Sequence, residues 1–182
     1  MAHADEQFEE FVRLHGAALL RTAVLLTGNR DQGQDTLQDA LELYLRRRPK
    51  GRVEFPAAYV RTAMVHLVQR RRLDRILVGG GQQHLDTEPA RSADVDGIDL
   101  RQALLAALRT LPQKQRSAVV LRYWEGYSEA ETAQMLRCSV GTVKSQASRG
   151  LSKLRETCAV DFPERSQGDT TPLILTSTGD LA

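Results

Sequence analysis

Apolar residues recur along this chain at intervals of three and four, the period of a helix buried on one side. Phe8, Phe11, Val12, His15, Leu19 and Leu26 fall near one face of a helix predicted from about Glu6 to Thr27, and Gly28-Asn29 ends it. A second helix begins near Asp31 and stops before Pro49, with Leu37, Ala40, Leu41, Tyr44 and Leu45 as its stripe. Phe55-Pro56 opens a third, because proline's missing N–H costs nothing in a first turn. That helix runs to about Val78 and turns Tyr59, Val60, Ala63, Met64 and Leu67 inward. Further on, Leu104, Leu105, Leu108 and Leu111 line a helix that Pro112 closes. Residues 113–125 continue with Val119, Val120, Tyr123 and Trp124, and Gly126 ends them. Nothing in residues 1–78 alternates with the period of a strand, so the fold class is all-α.

Residues 127–156 sharpen the picture into a helix-turn-helix. Ser128 caps a short helix, and Glu131, three residues on, completes a capping box. Ala130, Ala133 and Leu136 give it an apolar side; Arg137, Cys138 and Ser139 are a turn of the length that joins two crossed helices. In the second helix Val140, Val143, Ala147, Leu151 and Leu154 form one stripe. At about 100° per residue, Thr142, Ser145, Arg149 and Ser152 point the other way. Hydroxyls and a guanidinium on such a face suit the DNA major groove, where Arg pairs with guanine and Ser or Thr meets base edges or phosphate. The plainer reading is an amphipathic hairpin with a solvated face; cap, turn and face occurring together favour DNA.

Charge divides the chain further. The net charge of +2 conceals segments of −5 over residues 1–45, +8 over 46–75, −4 over 76–100, +6 over 101–158 and −3 over 159–182. Two basic blocks separated by an acidic one predict two nucleic-acid contacts on one polypeptide. The domain reading is a helical module over 1–78, a flexible acidic linker over 79–100, a helix-turn-helix module over 101–158 and a disordered tail over 159–182, in which PLIL at 172–175 is the apolar patch. Each module is near the size at which a single core is marginal, so docking on a large partner would supply the missing burial. No run of about 18 apolar residues is present, so no transmembrane helix is expected. The acidic N-terminus lacks the order of a signal peptide, which places the chain in the cytoplasm. Cys138, Cys158 and four scattered histidines offer no metal spacing, and no cofactor is expected; Cys138 fills a small site in the turn.

The stretch LRTLPQKQRSAVVLRYWEGYSEAETAQMLRCSVGTVKSQASRGLSKLRE resembles the C-terminal domain of sigma factors, most specifically in GTVKSQ with its preceding serine and in LRYWEG. DTLQDALELYLRR resembles the helix by which their first domain grips core RNA polymerase. With only these two domains, over residues 7–158, the chain is similar to the extracytoplasmic-function (ECF) sigma factors, and SVGTVKSQASRGL to a SigE-like actinobacterial branch. The resemblance implies an initiation factor without catalysis of its own, binding core RNA polymerase and promoter DNA; restraint by an anti-sigma protein and restraint by the C-terminal tail are both open. It assigns Asp35, Gln38, Asp39 and Glu42 to the polymerase, and Thr142, Lys144, Ser145, Gln146 and Arg149 to the −35 element. It assigns the third helix, with Tyr59, Arg61, His66, Arg70, Arg71 and Arg72, to the −10 element. There the sequence departs from the family: His66 stands where asparagine is usual, and LVQRRR lacks the aromatics on which bases stack. The acidic linker threads the polymerase interior in relatives. Arg116, Arg122 and Lys114 are expected at phosphates or on the surface.

Two other functions compete. A helix-turn-helix regulator that never joins polymerase, such as the LuxR type, shares a similar GxTVK-like helix, but the basic three-helix module fits it poorly. A helical adaptor conflicts with the two basic blocks. An enzyme is least favoured, since no nucleotide loop, metal set or catalytic constellation is visible.

Overall fold

The computed structural model describes residues 2–47, 54–77 and 97–158, and every regular element among them is helical. The predicted linker as far as residue 96, the tail with its PLIL patch and the Arg75 side chain lie outside the described residues. Helices α1 (Ala2–Thr27), α2 (Arg30–Arg47) and α3 (Pro56–Leu77) form a first group. Helices α4 (Gly97–Thr110), α5 (Gln113–Val119), α6 (Glu129–Leu136) and α7 (Val140–Cys158) form a second.

Local chemistry sets the breaks. Gly28, at φ 74°, adopts the left-handed conformation that glycine reaches without a Cβ penalty, and its N–H returns to Val24 O at 2.7 Å. Asn29 Oδ1 then accepts from the Gln32 N–H at 3.0 Å and starts α2. The tight corner lets the two helices approach so closely that a Cβ on Gly33 would stand 2.8 Å from Val24 Cγ2. Leu19, Ala23 and Leu26 of α1 meet Ala40 of α2 and Val60, Met64 and Val65 of α3, all fully buried. Tyr44 links the aromatics: its ring centroid lies 5.3 Å from Phe11 and 6.1 Å from Tyr59. Leu45, placed on the buried stripe by its spacing, is 39% exposed at the end of α2.

The stretch from Gln113 to Glu125 departs from the single helix that its periodicity predicts. After α5 the chain widens into a π-helical turn over Val120–Trp124, in which the Glu125 N–H bonds to Val120 O at 3.0 Å. Such a one-turn expansion shifts the register of the residues beyond it. Here it delivers Glu125 to α1 and α3: Thr22 Oγ1 donates to its carboxylate, and Arg61 pairs with it.

The two groups share one continuous core, from Phe11 and Leu26 through Val68 to Leu108, Leu121, Met135 and Leu154. Each supplies burial that the sequence assigned to a larger partner. A polar seam completes the joint at the C-terminus of α1, where the last carbonyls have no helical partner. Gln113 Nε2 donates to Leu26 O at 3.0 Å, Arg116 to Thr27 O at 2.6 Å, and Arg109 Nε to Gly28 O. Two guanidiniums here also complement the negative end of the helix dipole. Arg116 is therefore not the surface or phosphate-contacting residue that its charge suggests: it is 7% exposed and holds α1 to α5.

Candidate nucleic-acid and polymerase surfaces

The helix-turn-helix forms as its sequence dictates. Ser128 Oγ accepts from the Glu131 N–H at 3.2 Å, and Glu131 Oε2 accepts from the Ser128 N–H at 2.8 Å. These bonds to Ser128, side chain first, hold the Glu131 carboxyl below the ordinary carboxylate range. A depressed carboxyl stabilises the fold fully above its unfolded pKa and loses that contribution as pH falls through the folded one. Ser128→Ala is expected to cost about 1 kcal/mol in urea unfolding, and an unchanged midpoint would show the cap to be idle. Arg137, at φ 53°, makes the left-handed turn, and the Cys138 N–H returns to Ala133 O at 3.0 Å. Ser139 Oγ accepts from the Thr142 N–H at 3.1 Å and caps α7. Burial pushes the Cys138 thiol up, partly opposed by the Lys114 charge.

On α7, Val143, Ala147 and Leu154 are buried, and Gly150 lies so close that a Cβ would meet Val119 Cγ2 at 2.7 Å. Val140, at the head of the predicted stripe, is 40% exposed. Away from that buried stripe Arg149 is in the open and Thr142 and Ser145 are half-buried, while at its flanks Lys144 is exposed and Gln146 half-buried. Ser145 Oγ donates to Thr142 O at 3.0 Å, and Lys144 Nζ lies 3.4 Å from Glu129 Oε2 on α6. The five residues that the sequence assigns to the −35 element thus lie on one helix, with Lys144 and Arg149 exposed.

On α2, Asp35, Gln38 and Glu42 are exposed along one stripe, with Glu42 3.3 Å from Arg46. Asp39 is partly withdrawn: Arg71 Nη2 reaches its Oδ2 at 2.7 Å, while Arg71 Nη1 donates to Thr36 Oγ1 at 2.9 Å. One residue assigned to polymerase and one assigned to DNA therefore hold each other and brace α2 against α3.

The α3 set divides. Arg70 is exposed and loosely faces Asp74 at 4.0 Å, and Arg72 is half-buried. Tyr59 is half-buried against Tyr44. Arg61 and His66 face the second group instead. The Arg61 and Glu125 side chains are 16% and 9% exposed, and His66 Nε2 lies 2.9 Å from Met135 O. Burial raises the Tyr127 phenol, and the Arg61 charge lowers it in part, so Tyr127 belongs to the same cluster. Thr22 and Glu125 were not legible as partners of Arg61, because contacts between residues far apart in sequence leave no periodic trace. No group of three or more His, Cys, Asp or Glu side chains placed to hold a metal ion occurs among the described residues. No helix among them is long and apolar enough to cross a membrane.

These features define an all-helical protein with a DNA-binding helix-turn-helix. Residues 101–154 match the family model for Sigma-70, region 4. The RNA polymerase sigma-E factor of Streptomyces coelicolor is 39% identical over 82% of this chain and 85% of its own length. The ECF RNA polymerase sigma factor SigM of Mycobacterium tuberculosis is 33% identical over 81% of this chain and 74% of its own. Among solved structures, the sigma factor RpoE of Bartonella quintana, in complex with the anti-sigma factor NepR, shares the fold. Its TM-score is 0.66 at 24% identity, over 86% of this chain and 99% of that one. The chain belongs to the RNA polymerase sigma factors, within the extracytoplasmic-function group, and the SigE-like resemblance read from its sequence agrees with these relatives.

Proposed function

We propose that this sigma factor binds core RNA polymerase through α2 and reads a promoter at two points. Residues 1–78 act as the polymerase- and −10-binding domain, 101–158 as the −35-binding domain, and 79–100 as the connection. Asp35, Gln38 and Glu42 meet basic groups of the polymerase, with Asp39 fixed beside them by Arg71. Thr142, Lys144, Ser145, Gln146 and Arg149 enter the major groove at −35. At −10, Arg70 and Arg72 track phosphate while Arg71 stays on Asp39, and Tyr59, Arg61 and His66 meet DNA when α3 is uncovered. The work is done in the cytoplasm by binding, without chemistry of its own, and an anti-sigma protein is a natural partner, since RpoE was solved with one.

The observation that carries this reading is the capped helix-turn-helix, which presents Lys144 and Arg149 from within the stretch that matches region 4. A regulator acting apart from polymerase has no use for the exposed Asp35–Gln38–Glu42 stripe. Co-sedimentation with purified core polymerase tests the point: the protein is expected to travel with core. Glu42→Lys is expected to weaken binding by roughly 2- to 5-fold, the worth of one exposed ion pair. Failure to associate with core would overturn the proposal.

A further inference from the structure

We propose that Glu129 stands in for a phosphate: it holds Lys144 until DNA displaces it, and so sets how much of the −35 grip is electrostatic. The proposal rests on the −35 reading above and adds a positioning residue that lies outside the recognition helix. Glu129 is the first residue of α6. Its Oε2 lies 3.4 Å from Lys144 Nζ on α7, and its Oε1 lies 3.9 Å from Arg122 Nη2 in the π-helical turn. One carboxylate thus faces two cations from two other elements, and one of those cations flanks the face that carries Thr142, Ser145 and Arg149.

An acid at a helix start has an ordinary use, since it complements the positive end of the dipole. In α6 Glu131 already serves the helix start, because its carboxylate accepts from the Ser128 N–H at 2.8 Å. Glu129 turns its two oxygens toward cations instead. The two cations are not equivalent. Arg122 also donates through Nη1 to Tyr127 O, and its side chain is only 24% exposed, so it stays in place. The Lys144 side chain is 51% exposed and ends a flexible four-carbon stem. Lys144 is therefore the cation that DNA can take.

An ammonium donates to a carboxylate oxygen and to a phosphate oxygen in the same way. While Lys144 is paired, binding exchanges one anion for another instead of adding one. An exposed pair of this kind shifts an equilibrium by roughly 2- to 5-fold. The effect falls on every duplex alike, because a phosphate contact carries no sequence. Weakening that uniform contribution leaves base contacts, such as that of Arg149, a larger share of the binding.

The test uses the full chain and a fluorescent, random-sequence duplex of about 30 base pairs, three turns of B-DNA. Glu129→Gln is expected to raise affinity roughly 2- to 5-fold, read by anisotropy at low salt. The gain should fade as salt rises, because screening weakens the ion pair and the phosphate contact together. In a Lys144→Gln chain, itself weaker on DNA, adding Glu129→Gln is expected to have little effect, since the partner through which it acts is gone. Loss of a merely structural contact would lower affinity. Direct repulsion of DNA by Glu129 would give the same gain with or without Lys144. Either result overturns the inference, as does unchanged affinity in a folded Glu129→Gln. Should circular dichroism show that the amide unsettles α6, Glu129→Asp keeps the charge and shortens the side chain by one methylene. It is expected to give a smaller gain of the same sign, and unchanged affinity there overturns the inference too. No duplex binding by the parent or any variant at low salt would sink the −35 reading itself. Binding by the parent without coupling between Glu129 and Lys144 would sink this inference alone.

Discussion

Arg116→Met is expected to lose roughly 2–4 kcal/mol of stability, read as a lower urea midpoint for the whole chain. The residue looks like a surface cation in the sequence, which makes the size of the effect diagnostic. Its Nη1 reaches Thr27 O at 2.6 Å, and its Nη2 reaches Arg109 O and Leu111 O at 3.2 Å each. All three carbonyls lie at helix ends, without helical partners of their own. Methionine fills much of the volume but leaves these acceptors in a site where Arg116 is 7% exposed. A charged hydrogen bond contributes about 1.5–3 kcal/mol, and a stranded buried acceptor costs about 1–3. Contributions in one cluster do not add, so the lower half of their sum is the sensible figure. Against a typical domain stability of about 5–15 kcal/mol this is a large fraction. A midpoint within error of the parent would mean that the α1–α5 seam does not hold the two groups together.

Arg149→Ala is expected to weaken binding to a cognate −35 duplex by about 1–3 kcal/mol, or roughly 5- to 150-fold, while unfolding normally. The side chain is exposed on the open face of α7, one turn beyond Ser145, while the buried face beneath it is carried by Val143, Ala147 and Leu154. Removing it leaves the core untouched. The loss should fall on one base position, with discrimination there relaxed, because a guanidinium that pairs with guanine specifies as well as attracts. Lys144, already 3.4 Å from Glu129, serves as the contrast. Its removal should reduce affinity for all duplexes alike and lower the salt slope by about 0.9. An Arg149→Ala protein with the parent's affinity and footprint would remove the residue from the −35 contact.

How far an interaction reaches along the chain decides whether the sequence shows it or hides it. Local signals read through directly: the box of Ser128 and Glu131, the stop at Gly28 and the stripe of Val143, Ala147 and Leu154 all form as their spacing predicts. The exposed strip of Asp35, Gln38 and Glu42 is likewise a consequence of helical spacing. Non-local polar contacts do not read through. Charge alone sends Arg116, Arg61 and Arg71 toward phosphate, yet the first holds the end of α1, the second meets Glu125, and the third braces Asp39. The π-helical turn at Val120 is equally hidden, because it lies at the end of a short helix, where too few apolar positions follow it to reveal the shift of register. The closing of one helical group over the other is the largest feature of this kind. Periodicity describes each helix by itself and says nothing of which face of α6 covers α3.

Transcription in vitro asks whether this chain directs polymerase to promoters: purified core polymerase, a genomic fragment library, and the protein present or absent. Discrete transcripts are expected only when the protein is present. They should start downstream of a shared pair of −35 and −10 sequences and disappear with Arg149→Ala. Transcripts that do not depend on the protein, with no association between it and core, would contradict promoter direction by this chain.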